Sequence, residues 1–112
     1  MSDKNHLEKR IFELHAAVCK TLSHPKRLGI IDLLRGEKEM GVSEIAEKLI
    51  ITKANASQHL SLMRQQNIVK TRRVGVTILY SLANPKIIVA YDALKKALKE
   101  QLEADGKLLE KF

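Results

Sequence analysis

The strongest constraint on this chain is a change in the period of its apolar residues after Asn67. Before that point apolar side chains recur every three or four residues, as the buried stripe of a helix does. After it, Val69, Thr71 and Val74, then Val76, Ile78 and Tyr80, follow the β-branched and aromatic pattern of strands. Gly75 divides this run, which predicts a β-hairpin turning at Val74-Gly75 with Arg72 and Arg73 beside its tip. One hairpin must therefore be set among helices, because the helical period resumes after Asn84-Pro85.

Four helices are expected ahead of the hairpin. From about Asn5 to Leu22 the stripe is Leu7, Ile11, Leu14, Val18 and Leu22. Ser23-His24-Pro25 breaks that run, and Pro25 suits the first turn of a second helix because it has no N–H to leave unpaired. That helix carries Leu28, Ile30, Ile31, Leu33 and Leu34 and is expected to stop near Gly36. Ser43 is expected to cap a short third helix holding Ile45, Ala46 and Leu49, and Ile50-Ile51 follow as a tight apolar turn. Thr52 then caps a fourth helix running to about Asn67, with Ala56, Leu60 and Met63 buried and Leu62 on its flank. The last helix has the stripe Ile87, Tyr91, Leu94, Leu98 and Leu102, with Gly106 near its end and Leu108, Leu109 and Phe112 beyond.

At 112 residues the chain has room for one domain spanning residues 1–112. With aromatics at 4% and no Trp, its core must be aliphatic, which favours helices packed through Leu, Ile, Val and Ala. Apolar stripes on the terminal helices, about residues 5–22 and 85–111, exceed what so small a core can cover. Those helices are expected to form a homodimer interface. The net charge of +7 favours a polyanionic partner, because each neutralised phosphate releases condensed counterions. No apolar run approaches a transmembrane span, and the first residues lack a signal peptide's apolar region, so the expectation is a cytoplasmic protein without a membrane partner. A single cysteine, Cys19, agrees with a reducing compartment.

The segment from Ser43 to Tyr80 is a short helix, a tight turn, a polar-faced helix and a basic-tipped hairpin. That order is a helix-turn-helix followed by a wing, which makes the fold class mainly α with a small β-hairpin: helix, helix, helix, helix, strand, strand, helix. The exposed side of the fourth helix reads Lys53, Asn55, Ser57, Gln58, His59, Ser61 and Arg64, with no acid to repel phosphate. Ser57, Gln58 and His59 are the expected base readers, since Gln can bond adenine N6 and N7 together and Ser can serve base or phosphate. Lys53, Asn55 and Arg64 would serve backbone or bases, and Arg72 and Arg73 would hold the wing to phosphate or a minor groove. The sequence has no Gly-rich phosphate loop, nucleophile elbow, HExxH or paired carboxylates in a catalytic context, so an enzyme is not expected. An architectural DNA binder with little sequence preference is the alternative reading, and a protein-interaction module on the same scaffold is a third.

The stretch from about Val18 to Leu98 resembles the ArsR/SmtB family of winged-helix repressors. The resemblance is carried by LSHPKRLGIIDLL, VSEIAEKL, TKANASQHLSLMRQQNIV and RRVGVTILYSL, with the Ser57-Gln58-His59-Leu60 step, Leu62 and Arg64 closest to the family's most typical segment. It implies a homodimer on an imperfect palindrome in double-stranded DNA, and repression relieved by an inducer, often a metal ion. The metal positions of that family are not matched. Gly41 and Ser43 fall where two thiolates would be, and Asn84, Lys86, Ala97 and Glu100 occupy the places of the second site's Asp, His, His and Glu. No cofactor is therefore supported by the usual motifs. The remaining candidates are His15 and Cys19, four apart on one helix face, as metal ligands shared across a dimer, or Cys19 as a redox thiol. The other reading of the pair is a small apolar residue near an interface with a polar neighbour.

Overall fold

The computed structural model of the protein describes residues 2–36 and 38–106. Its elements are α1 (Ser2–Leu22), α2 (Pro25–Leu33), α3 (Val42–Leu49), α4 (Lys53–Gln65), β1 (Val69–Val74), β2 (Thr77–Leu82) and α5 (Lys86–Ala104). The architecture is the winged helix-turn-helix that the change of period implies, five helices with one antiparallel hairpin.

The core lies where α2, α3, α4 and the base of the hairpin meet. Ile30, Ile31 and Leu34 of α2 and its cap, Ile45 of α3, Leu60 and Met63 of α4, and Ile68 and Val69 entering the hairpin are all essentially fully buried. Burying an aliphatic side chain of this size contributes roughly 1.5–3 kcal/mol. Val18 and Leu22 from α1, and Ile87 and Tyr91 from α5, close over this centre. The one buried polar side chain among the described residues, Thr21, donates its hydroxyl to the Ala17 carbonyl at 3.1 Å, so its burial leaves no orphaned group.

The expected boundaries shift by a few residues, each for a local reason. α1 begins at Ser2 rather than near Asn5. α2 closes at Leu33, with Gly36 in the left-handed region just beyond it. α3 begins at Val42, and its cap is Gly41, not Ser43; Ser43 is exposed within the first turn. α4 stops at Gln65, because Asn67 takes a positive φ that re-aims the chain into β1. The hairpin turns at Gly75-Val76, one residue later than expected, and Gly75 at φ +62° supplies the left-handed step there. Leu108, Leu109 and Phe112, and the extension of the last helix to residue 111, lie outside the described residues.

Register in the hairpin runs from Val69↔Leu82 at its base to Val74↔Thr77 at its tip. A third segment joins it edgewise: Met40, in the connector before α3, exchanges both backbone hydrogen bonds with Tyr80 at 3.0 and 2.8 Å. This bridge ties the wing's base to the helical body. At the other end of the molecule Arg35 bonds both carboxylate oxygens of Asp92, at 3.0 and 2.6 Å, which tethers the end of α2 to α5.

Candidate nucleic-acid interface

Thr52 starts the fourth helix as expected, its hydroxyl accepting the Asn55 N–H at 3.0 Å. From that cap the helix divides cleanly. Ala56, Leu60 and Met63 are fully buried against α2, α3 and β1, while Lys53, Asn55, Ser57, Gln58, Ser61 and Arg64 are exposed. No carboxylate stands on the exposed side. A helix held by one apolar face and offering short polar and basic groups on the other has the form needed to enter a major groove.

α3 meets α4 through a strained turn. Ile50 has φ +56°, a left-handed conformation that costs a β-branched side chain roughly 1–2 kcal/mol, and it is 89% exposed. Only Ile51 of the expected apolar turn is half-buried. The strain is held by neighbours: the Ile51 N–H reaches the Ala46 carbonyl at 3.0 Å, and Lys26 Nζ donates to the Leu49 carbonyl at 3.0 Å.

His59 is placed differently from the other expected readers. It is half-buried, and its Nδ1 accepts from Nε of Arg27 at 3.0 Å. Its ring lies against His24, with centroids 4.6 Å apart and a 55° tilt. Burial first, then the neighbouring His24 ring and Arg27 guanidinium, hold its pKa below the ordinary imidazole value. The side chain faces the start of α2, unlike the exposed Ser57 and Gln58 with which the sequence grouped it as a base reader. The reason is angular: one residue past Gln58 carries the helix about 100° round, toward the buried face.

The hairpin arginines also separate. Arg72 is bound by Glu39 through two hydrogen bonds, Nε at 2.9 Å and Nη2 at 2.7 Å. That pair lowers the Glu39 pKa and raises that of Arg72. Arg73 is exposed and pairs with no carboxylate among the described residues. Successive strand residues point to opposite faces, so the two arginines leave β1 on opposite sides of the hairpin.

Arg27 and Lys26 were not singled out as site residues by the sequence. Arg27 also donates Nη1 to the Thr21 carbonyl at 2.7 Å, so one guanidinium joins the end of α1 to α4. Its position one turn into a helix that opens on Pro25 was the available signal, but the spacing to His59 exists only in three dimensions.

His15 and Cys19 are both exposed on α1. Among the described residues no three His, Cys, Asp or Glu side chains are grouped to hold a metal ion. The same helix leaves Leu7, Ile11 and Phe12 between 61% and 72% exposed, and α5 leaves Val89, Leu94 and Leu98 exposed. Among the described residues no helix is long and apolar enough to cross a membrane.

Comparison with known proteins agrees with this geometry. A family model described as "Bacterial regulatory protein, arsR family" matches residues 24–71, the span from α2 into β1. The nodulation protein NolR of Rhizobium meliloti is 37% identical over 92 residues, covering 82% of this chain and 75% of that protein. The crystal structure of the transcriptional repressor PagR of Bacillus anthracis superposes with a TM-score of 0.68 at 35% identity, covering 77% of this chain and 98% of that one. A homodimeric winged helix-turn-helix DNA-binding domain from Mycobacterium bovis, a possible ArsR-family regulator, gives a TM-score of 0.77 at 26% identity over 85% of this chain and 87% of its own. The chain belongs to the arsR family of bacterial regulatory proteins, DNA-binding transcriptional regulators rather than enzymes.

Proposed function

We propose that the protein is a cytoplasmic homodimeric repressor that binds an imperfect palindrome in double-stranded DNA through α4 and the hairpin. The observation that carries this reading is the division of α4, which buries Ala56, Leu60 and Met63 and leaves Ser57 and Gln58 exposed on a face without acids. Gln58 and Ser57 read base edges, Lys53, Asn55 and Arg64 take backbone or bases, and Arg73 takes phosphate or a minor groove. Arg72 reaches DNA after exchanging Glu39 for phosphate, or stays bound to it and holds the wing.

Dimerisation is supported by the uncovered apolar residues of α1 and α5, and by the homodimeric state of the Mycobacterium bovis relative. A two-fold pair would set two recognition helices roughly 34 Å apart, one helical turn of DNA, and would ask for a palindrome. The terminal helices are the interface in this reading. Repressor activity is supported by PagR, whose name states it.

Fluorescence anisotropy on DNA from upstream of the protein's own coding sequence, against scrambled DNA, tests the reading. A repressor discriminates between them by about 10³ or more. Equal affinity for both duplexes would overturn it in favour of an architectural binder. Repeating the titration oxidised and with divalent metals addresses release: loss of binding under one condition that Cys19→Ser abolishes would place the sensor at Cys19.

A further inference from the structure

We propose that His24, Arg27 and His59 form a proton-sensitive clamp that holds the recognition helix in its DNA-binding setting while both imidazoles are neutral, so that mild acid weakens DNA binding. The inference rests on the DNA-binding reading above and concerns how the same helix is positioned.

The geometry dictates the charge states. A guanidinium has donors only and does not lose its proton in proteins. The His59 Nδ1 that faces Arg27 Nε at 3.0 Å must therefore carry a lone pair. His24 is constrained in the same way, because its Nδ1 accepts the Lys26 N–H at 3.1 Å and so caps α2. A proton on either Nδ1 turns an acceptor into a donor pointed at a donor. It also adds a cation beside Arg27 and, across the 4.6 Å ring contact, beside the other imidazole.

Among the described residues no carboxylate acts on His59 to offset that charge. The groups that act on His59 are His24, before α2, and Arg27, on α2 itself. Lys26 is turned to the Leu49 carbonyl. Glu44, Glu47 and Lys48 of α3 are exposed, as are Lys53 and Arg64 of α4 and Lys70 and Arg72 of β1, and Arg72 is engaged by Glu39. The low pKa of His59 agrees with a site that resists the second cation.

The clamp sits where small shifts matter. His59 follows Ser57 and Gln58 directly, and its bond to Arg27 ties α4 to α2, so in this proposal losing the bond frees the exposed face of α4 to shift. The same Arg27 holds the Thr21 carbonyl at the end of α1, so the contact also sets α4 against the helix that carries the uncovered apolar residues. His59 is thus a positioning residue.

The sign of the pH dependence separates this role from direct contact. An imidazolium touching phosphate would tighten binding in acid, whereas a clamp that fails on protonation loosens it. The test uses the duplex that the full chain selects from a random pool at pH 8, with anisotropy followed from pH 8 to 5.5 at constant ionic strength. Far-UV circular dichroism at each pH confines the comparison to folded protein. The expected result is a rise in Kd approaching about tenfold per pH unit for each proton that must be expelled. His59→Gln offers Arg27 an acceptor that does not titrate, and its profile should be flatter by that proton, whatever its affinity at pH 8. Arg27→Gln removes the fixed cation, and its amide can present either a donor or an acceptor to the ring, so the profile should flatten too. Tighter binding in acid, a flat wild-type profile, or the same slope in His59→Gln would overturn the clamp alone. Failure to select any duplex at pH 8 would overturn the DNA-binding reading, and the clamp with it.

Discussion

Gln58 and Arg73 test opposite kinds of contact at the level of single side chains. Gln58 is exposed, and its amide can bond a base edge with two groups at once. Gln58→Ala should cost roughly 1–3 kcal/mol of operator binding and relax specificity at one position per half-site, checked by titrating a set of single-base operator variants. Arg73→Ala should weaken all duplexes alike and lower the slope of log K against log salt by about one per protomer. His59 adds a stability prediction. Its folded pKa is lowered chiefly by burial, so between the ordinary imidazole value near 6.5 and that lowered value the unfolded chain holds more protons. The stability it contributes is complete above about pH 6.5 and is lost as pH falls through the folded pKa. Urea midpoints at pH 7.5 and 5.5 should therefore differ more in the wild type than in His59→Gln. The polar character of this face was legible in the sequence residue by residue. The inward turn of His59 was not, because it depends on Arg27, thirty-two positions away.

The turn between α3 and α4 is the element whose geometry and sequence disagree most. Ile50 takes a left-handed backbone with its side chain in solvent, so it bears the conformational penalty and gains little from burial. Ile50→Asn, which tolerates that region without glycine's entropy, should raise stability by about 0.5–1 kcal/mol in denaturant titration and leave the fold unchanged. Helix existence and order were readable from apolar spacing and from Thr52. The cap of α3 was not: a serine two residues late satisfied the local rule, while Gly41 occupies the extended position as the chain leaves the Met40–Tyr80 bridge. Local capping preference gave way to a sheet contact forty residues apart.

At the scale of the molecule, the described residues bury an aliphatic centre and leave the first half of α1 uncovered. Leu7, Ile11 and Phe12 lie on that uncovered part, whereas Val18 and Leu22 on the same helix reach the core. Leu7→Ser with Phe12→Ser should shift sedimentation from dimer toward monomer and weaken operator binding steeply, while circular dichroism stays close to wild type because neither residue serves the core. Phe12 did not belong to the stripe read from the sequence, since a 3.6-residue period identifies one apolar face and does not show whether a second partner covers the next. By itself, the sequence determined the helices, the hairpin, the aliphatic core and the acid-free face of α4, because these follow from periodicity and composition over short stretches. Only the tertiary structure decided which polar groups are spent inside the protein. Arg27 and His59 bind each other and Arg72 binds Glu39, because those pairings arise when distant segments pack and no local pattern encodes their distance.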